Sequence, residues 1–231
     1  QRIRVLDAKQ VTDGAQQHAE PDLHPLQGRH QSRPGAVDVR LQGVDGILAK
    51  AGAKVADIDA LALEVVEALE KARAQGKLRF AGYSSENNAL EFAIASGAFQ
   101  VIETSVNFLD QAGMDGAVKQ AGLAGLGVLA KRPLANAVWR HRVTGDEAVE
   151  EYRRRYEELR PCFGERVNWP DTALRFAAFA PNVHCALIGT GNVEHLRSAI
   201  AAVATGPLPY DLDQNLREVW RRNSDGWGGV I

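Results

Sequence analysis

The chain has few cysteines and almost no excess charge. Cys162 and Cys185 are its two cysteines, and their spacing fits no metal-binding or redox motif and cannot support a disulfide framework. This scarcity is typical of a reducing compartment, so we expect a cytoplasmic protein. Lysine and arginine number 27 against 29 acidic residues, a net charge of −2. We therefore predict no nucleic-acid partner, because nonspecific binding to nucleic acid needs a strongly basic surface.

Long apolar runs are absent as well. No stretch approaches the ~18 residues that a membrane-spanning helix needs, and no signal-peptide pattern opens the sequence, so we expect no membrane association. The sequence starts at Gln1 and its single methionine is Met114, which indicates either a removed start or a piece of a longer protein. The hydrophobic fraction of 45% excludes wholesale disorder.

Residues 1–42 show neither the helical nor the strand period over most of their length, and we predict an irregular or poorly ordered segment. Only Ile3–Lys9 is strand-like. His18, His24 and His30 are evenly spaced, but their spacing matches no ligand motif and no cysteine or acidic cluster accompanies them. We therefore favour a solvated segment over a metal site and predict no metal.

From Gly76 to Gly206, short β-rich apolar segments alternate with segments of helical period. This alternation predicts βαβ units and a parallel sheet, and consecutive apolar residues in several strands predict that both sheet faces are covered. The predicted strands are Ile58–Leu63, Leu78–Tyr83, Gln100–Val106, Gly127–Lys131 and His184–Gly189. The predicted helices are Val65–Gln75, Ala89–Ser96, Met114–Ala121, Glu147–Leu159, Trp169–Ala180 and a last one that Asn192 caps, with Leu196, Ile200 and Val203 as its buried stripe.

Two glycine clusters suggest nucleotide binding. The cluster at 122–127 has the wrong spacing for a dinucleotide fingerprint and precedes its strand, so we interpret it as a turn. Gly189, Thr190 and Gly191 follow a strand directly and open a helix, where free backbone N–H groups and the helix dipole can bind one phosphate group. A plain capped turn is the alternative for this loop.

Five segments in order resemble the aldo-keto reductase family. They are Gly76–Ser84, Val101–Asn107, Gly127–Leu134, Ala173–Phe176 and Ile188–Leu196. The resemblance covers roughly residues 57–207 and implies an α/β fold of the (β/α)8 TIM-barrel type. It also implies reduction of carbonyl groups with NADP or NAD as cofactor and without a metal. The chain would be an incomplete barrel, from about strand three or four to strand eight, and residues 43–231 would form this partial barrel domain.

The resemblance also implies how the nicotinamide is held. Ser84 matches the serine that binds the carboxamide, and Ser85 stands where many relatives have an asparagine with the same task. Glu103 stands where a glutamine usually contacts the carboxamide, and a carboxylate accepts from the amide NH2 but cannot donate to its oxygen. Lys131 aligns with the residue that lies against the nicotinamide ring, where a lysine stem can pack with its charge displaced.

Further cofactor contacts are implied by the same segments. Arg132 and Leu134 follow Lys131 in the third segment, and Gly189, Thr190 and Gly191 match the loop at the adenosine-side phosphates. His195 falls where an arginine commonly grips the 2′-phosphate, and an imidazole lacks the bidentate fork of a guanidinium. The choice between NADP and NAD therefore stays open.

The usual catalytic acid of the family is missing from its expected place. The family uses a tyrosine whose pKa is lowered by a lysine, with an aspartate and a histidine nearby. None of the four tyrosines, Tyr83, Tyr152, Tyr156 and Tyr210, precedes the strand at Leu78, and we expect Tyr83 in the core. Lys9 matches the family lysine at the end of strand three or is a simple surface lysine. The histidine expected after Ile58–Leu63 is absent, with Glu64 at the junction with the next helix.

These observations lead to three hypotheses. The first is an oxidoreductase that transfers hydride between NAD(P)H and an aldehyde, ketone or sugar hydroxyl, impaired because the tyrosine acid is absent. Its partners would be a nicotinamide dinucleotide and a small carbonyl substrate. The second is a non-catalytic nucleotide-binding or scaffold protein, and the third a TIM-barrel or flavodoxin-like protein unrelated to reductases. An incomplete barrel also leaves open sheet edges, which predicts low solubility or self-association.

Overall fold

The computed structural model describes residues 5–7, 55–140, 145–163 and 167–231, with side chains from residue 64 onward. Within these ranges five parallel strands form one sheet in the order β1-β5-β4-β3-β2. The strands are β1 Val5–Asp7, β2 Gly82–Ser84, β3 Val101–Ser105, β4 Gly127–Lys131 and β5 Cys185–Ile188. A parallel sheet with alternating helices confirms the predicted α/β class and partial barrel.

Helices connect and follow the strands. They are α1 Val55–Ala74, α2 Asn87–Ala95, α3 Lys119–Leu123, α4 Glu147–Leu159, α5 Trp169–Ala178, α6 Val193–Ala204 and α7 Tyr210–Asn223. Shorter helical turns occupy Met114–Val118, Ala135–Ala137 and Arg160–Cys162. In the described part of the chain, no helix is both long enough and apolar enough to cross a membrane.

The bounds of α4 are those predicted, and local chemistry accounts for them. The Asp146 carboxylate accepts a hydrogen bond from the Val149 N–H, which satisfies a backbone donor that the helix itself leaves free. Glu147 and Glu150 lie in the first turn, where the helix dipole favours negative charge. The predicted cap of α6 is confirmed in the same way, because the Asn192 side chain accepts from the Glu194 N–H at 2.9 Å.

Two predicted strands are corrected by the structure. The segment Ile58–Leu63 is helical and belongs to α1, so Glu64 lies inside a helix and not at a strand end. Its alternating alanine and leucine residues favour a helix as readily as a buried strand. The strand-like segment Ile3–Lys9, which the resemblance matches to strand three, contains β1. This strand pairs with β5, the last of the described strands, with Val5 opposite Ala186. Because a barrel closes by pairing its first strand with its last, β1 lies in the place of a first strand.

Other predictions fall outside the described residues. Lys9 lies there, as do His18, His24 and His30 and nearly all of the segment 1–42 that was predicted irregular. The metal and catalytic interpretations of these residues therefore stay predictions.

The C-terminal helices differ from the prediction in two ways. In α6, Leu196 and Val203 pack against the core, but Ile200 is 54% exposed and the buried residues are Ala199 and Ala202. Helix α6 packs against α5, and the short alanine side chains allow this close approach. Helix α7 was not predicted, because only Leu216, Val219 and Trp220 are buried in an otherwise charged segment.

Two apolar clusters hold the helices against the sheet. The larger one contains an aromatic group in which the rings of Phe108 and Trp169 stack with their centroids 4.6 Å apart. The smaller one joins α1 and α2 to the sheet through Leu69, Ala93 and Tyr83. Tyr83 is buried and tilted against Phe99 at 5.2 Å, which confirms its predicted place in the core.

Candidate functional site

Three predicted site residues lie on one face of the sheet. Ser84 pairs in register with Glu103, and Ser105 pairs with Lys131. Residues in register point to the same face, and so do residues two apart along one strand. Ser84, Glu103 and Lys131 therefore share a face, with Ser84 and Lys131 at the carboxyl ends of β2 and β4 and Glu103 two residues before the end of β3. Ligands bind at this end of a parallel sheet.

The Lys131 side chain joins two of these strands. Its Nζ donates to the Ser84 hydroxyl at 3.4 Å and lies 3.2 Å from the Glu86 carboxylate. The side chain is only 22% exposed. The ammonium is thus fixed at the end of the sheet by its contacts with Ser84 and Glu86.

Glu86 is a site residue that the sequence analysis missed. It is buried, and its Oε1 accepts from the backbone N–H of Ser105 at 2.9 Å while its Oε2 accepts from the Thr104 hydroxyl at 2.6 Å. Together with Lys131, these partners satisfy both carboxylate oxygens. A signal was present in the sequence, because Glu86 directly follows the serine pair of a segment that resembles the reductases.

Ser85 has a structural role in the loop after β2. Its backbone N–H donates to the carbonyl of Glu103 at 3.1 Å, which continues the pairing of the strands beyond Ser84. Its hydroxyl is turned towards the Glu86 carbonyl at 3.5 Å. Ser85 is therefore next to the Ser84–Lys131 pair in sequence but directs its side chain away from it.

Arg132 and Leu134 lie in the loop after β4. Arg132 has a left-handed backbone, with φ of 51°, and its guanidinium donates to the carbonyl of Val230 at 2.6 Å. Leu134 packs against the larger apolar cluster. The structure thus directs Arg132 towards the C-terminal segment.

That segment, residues 228–230, is called the strap below. Asn87, also left-handed with φ of 54°, exchanges two hydrogen bonds with Gly229, of 3.1 and 2.8 Å. Arg155 donates to the Gly228 carbonyl at 2.8 Å. A left-handed residue other than glycine persists only where surrounding contacts hold it. Asn87 and Arg132 both contact the strap, so the strap supports the loops after β2 and β4.

Tyr152 and Asp110 form a buried pair behind the strap. The Tyr152 hydroxyl donates to the Asp110 carboxylate at 3.1 Å and accepts from the Asn107 amide at 3.2 Å. Burial raises the pKa of Tyr152 above its usual range. Burial also raises the pKa of Asp110 to about 6, although the hydrogen bond from the Val230 N–H and the charge of Arg155 act against this shift. A phenol with a raised pKa that is fully buried is a poor general acid.

The other three tyrosines are placed elsewhere. Tyr83 lies on the opposite face of the sheet from Ser84, and Tyr156 is buried with its ring edge-on to Trp169 at 5.4 Å. Tyr210 is 76% exposed at the start of α7. Tyr83, Tyr156 and Tyr210 therefore supply no phenol hydroxyl beside Ser84 and Lys131, whereas the Tyr152 hydroxyl approaches Ser105, which pairs in register with Lys131.

The predicted phosphate loop opens α6. The Thr190 hydroxyl accepts from the Asn192 N–H at 3.1 Å and lies 3.4 Å from Nδ1 of His195. The guanidinium of Arg140, from the loop after β4, lies 3.5 Å from Nε2 of His195. Arg140 was not identified from the sequence, because its neighbour in space is 55 residues away in the chain. It places beside His195 the type of cation that the resemblance leads one to expect at this position.

No metal centre is visible in the described residues, because they contain no group of three histidine, cysteine, aspartate or glutamate side chains that could hold an ion. The two cysteines are not joined in a disulfide, and Cys162 is exposed while Cys185 is buried.

Comparison with known proteins gives matches of structure alone. No model of a protein family and no curated protein sequence matches the chain. The structure is similar to the apo form of aldo-keto reductase AKR11C1 from Bacillus halodurans, with a TM-score of 0.56 and 19% identity over 68% of this chain and 56% of that one. The holo form of the same reductase gives a TM-score of 0.55 and 19% identity over 67% of this chain and 54% of that one. The chain thus has an aldo-keto reductase-like fold and spans about half the length of these structures.

Proposed function

We propose that this chain is an NAD(P)H-dependent oxidoreductase of the aldo-keto reductase type, acting between the cofactor and an aldehyde, ketone or corresponding alcohol. One observation carries the proposal. Ser84, Glu103 and Lys131 come from three neighbouring strands to one face, and the Ser84 hydroxyl lies 3.4 Å from the Lys131 ammonium. These are the positions at which the resemblance implies contacts with the nicotinamide.

The donor set suits a nicotinamide carboxamide and ring. The Ser84 hydroxyl would donate to the carboxamide oxygen, and the Glu103 carboxylate would accept from the carboxamide NH2. The stem of Lys131 packs against the ring because the ammonium is drawn towards Glu86. When bound in its reduced form, the nicotinamide supplies a hydride to the carbonyl carbon of the substrate.

The phosphate end of the cofactor is assigned to the loop before α6. Thr190 and the backbone of Gly189 and Gly191 lie at the helix N-terminus, where the dipole favours an anion. Arg140 and His195 face each other at 3.5 Å beside this loop. A guanidinium forms bidentate hydrogen bonds with a phosphate, so Arg140 favours NADP over NAD.

Proton delivery limits the proposed activity. Reduction needs an acid at the carbonyl oxygen, and Tyr152, which approaches this face at Ser105, is buried and donates its hydroxyl proton to Asp110. We therefore expect slow turnover or none, and a non-catalytic nucleotide-binding protein is the second candidate function. Lys9, which the resemblance matches to the catalytic lysine at the end of strand three, lies outside the described residues and stays a prediction, and β1, just before it in the sequence, has the place of a first strand and not of strand three.

Nucleotide titration and an activity assay test the proposal together. The purified chain is titrated with NADPH and NADH while tryptophan fluorescence is recorded, and NADPH oxidation is then measured with small aldehydes. We expect saturable binding that the S84A and K131A variants weaken, with Glu91→Gln on the exposed side of α2 as a control. Turnover above background supports the enzyme, and binding without turnover supports the second candidate. Absence of binding by the folded chain overturns the nicotinamide assignment.

A further inference from the structure

We propose that Glu86 is a positioning residue that fixes the Lys131 ammonium and sets which redox state of the nicotinamide the site prefers. This inference rests on the proposed function. The resemblance to the reductases assigns no role to Glu86, whose side chain is only 6% exposed.

In the Glu86–Lys131 pair, Glu86 is the rigid member and Lys131 the flexible one. The Glu86 carboxylate is held by β3 from two sides, through the Thr104 hydroxyl at 2.6 Å and the Ser105 N–H at 2.9 Å. A buried carboxylate needs such partners to offset the loss of hydration. Lys131, in contrast, has a flexible stem and is partly exposed. The rigid carboxylate therefore fixes the ammonium, and a residue of the β2 loop controls a side chain of β4.

The charge of the Lys131 ammonium affects the two redox states of the nicotinamide differently. An oxidised nicotinamide ring is positively charged and a reduced one is neutral, so an ammonium beside the ring opposes only the oxidised form. The Glu86 carboxylate lies 3.2 Å from the Lys131 ammonium and balances its charge. Glu103, on the same face, is the other carboxylate at the strand ends, and it stays unchanged in the variants proposed below. Removing either partner of the pair should shift the preference, and the two shifts should have opposite signs.

The dissociation constant of NADP+ divided by that of NADPH measures this preference, and a higher ratio means a stronger preference for the reduced form. In Glu86→Gln the ammonium is left unbalanced, and we expect the ratio to rise about tenfold over the wild-type ratio. In Lys131→Met the carboxylate is left unbalanced, and we expect the ratio to fall by about the same factor. The double variant should return to within about threefold of the wild-type value, since it carries neither charge. Glu91→Gln, an exposed change of the same type, should leave the ratio unchanged.

Equal weakening of both nucleotides in Glu86→Gln and Lys131→Met would overturn the inference, because a purely structural role cannot distinguish the redox states. Where Glu86→Gln does not fold, the double variant decides together with Lys131→Met, because the ratio should return towards the wild-type value only if the Glu86 carboxylate acts on the same site. Binding of neither nucleotide by the wild type would overturn the proposed function and the redox preference with it.

A urea-unfolding cycle decides separately whether Glu86 holds Lys131. The wild type, both single variants and the double variant are compared without any nucleotide. Each variant changes the unfolding equilibrium constant by some factor. We expect the factor for the double variant to be at least about fivefold smaller than the product of the factors for the two single variants. Independent, multiplicative changes would show that the two side chains do not act as a pair and would overturn the positioning role.

Discussion

The backbone N–H of Val230 donates to the buried carboxylate of Asp110 at 2.9 Å, although 120 residues separate the two in the chain. Asp110 follows β3, while Asn87 and Arg132, which also contact the strap, follow β2 and β4. The strap therefore joins the three loops that border the Ser84–Lys131 face. Because all three loops form hydrogen bonds with it, the strap and its partners contribute to the rigidity of the candidate site.

Arg155 is expected to be the main anchor of the strap. The residue is 3% exposed, and its guanidinium donates to the carbonyls of Leu109 and Gly228 and pairs with Glu151. Replacing it by methionine leaves buried acceptors unsatisfied, and we expect the free energy of unfolding to fall by about 3 kcal/mol. Urea denaturation measures this loss.

Arg153 supplies the matched control, because it lies on the same helix and also pairs with glutamates, Glu150 and Glu157, on that helix. Its replacement by methionine should change stability little, since ion pairs at the surface contribute little. A similar effect of the two replacements would contradict the anchoring role of Arg155.

Asp110 should make the stability of the protein depend on pH in an unusual direction. Burial raises its pKa in the folded state to about 6, above the ordinary value of 3.8. As the pH falls from about 7 to about 4.5, the folded state binds a proton that the unfolded state does not yet bind. Folding is therefore stabilised over this window, by about 2 kcal/mol, and the gain is lost as the pH rises through the folded-state pKa.

Unfolding in urea at both ends of this pH window, for the wild type and Asp110→Asn, isolates this contribution. The wild type should gain stability relative to the variant on acidification, whereas the exposed change Asp115→Asn should leave the wild-type pH dependence in place. Glu151 contributes in the opposite direction, because its hydrogen bonds with Arg154 and Arg155 lower its pKa from 4.5 to about 2, and this stability is lost mainly below the window, as the pH falls from about 4.5 to about 2. If the stabilities of the wild type and of Asp110→Asn change in parallel with pH, Asp110 does not titrate in this window.

The sequence was sufficient where local chemistry determines structure. Strand Gly127–Lys131 and helix Glu147–Leu159 have their predicted bounds, because an apolar run flanked by turns and a capped acidic start are local signals. The segment 58–63 failed because a short run of alanine and leucine does not distinguish a strand from a helix.

The same limit applies to the candidate site. Ser84, Glu103 and Lys131 were identified because each lies in a segment that resembles the reductases. Glu86 and Arg140 were missed because their importance depends on distant partners. Glu86 pairs with Lys131, 45 residues away in the chain, and Arg140 lies beside His195, 55 residues away. Contacts between such distant residues leave no periodic pattern in a single sequence. The strap was missed for the same reason.

Glu103 is expected to limit how tightly the carboxamide is held. A glutamine at this position can both accept from the carboxamide NH2 and donate, whereas the carboxylate only accepts. We expect Glu103→Gln to strengthen NADPH binding about fivefold, a gain typical of one additional hydrogen bond. Fluorescence titration measures it, with Glu91→Gln as the control for loss of an acidic charge. Weaker NADPH binding in Glu103→Gln would show that the carboxylate itself is needed.

Arg140 should decide between the two nicotinamide dinucleotides. Its guanidinium lies beside His195 and close to the phosphate loop, where a 2′-phosphate would add a negative charge that NADH lacks. Arg140→Met should therefore weaken NADPH binding about tenfold and NADH binding less than about twofold, a contrast expected from one charge-assisted contact. Arg197→Met is the control for the loss of a cation. Arg197 lies on α6, the helix that carries His195, and pairs with Glu194. Titration of each variant with both nucleotides gives the four constants required. Equal losses for NADPH and NADH in Arg140→Met would place Arg140 at a phosphate that both nucleotides share. Equal effects of Arg140→Met and Arg197→Met would show that Arg140 contributes only a general attraction between the surface and an anion.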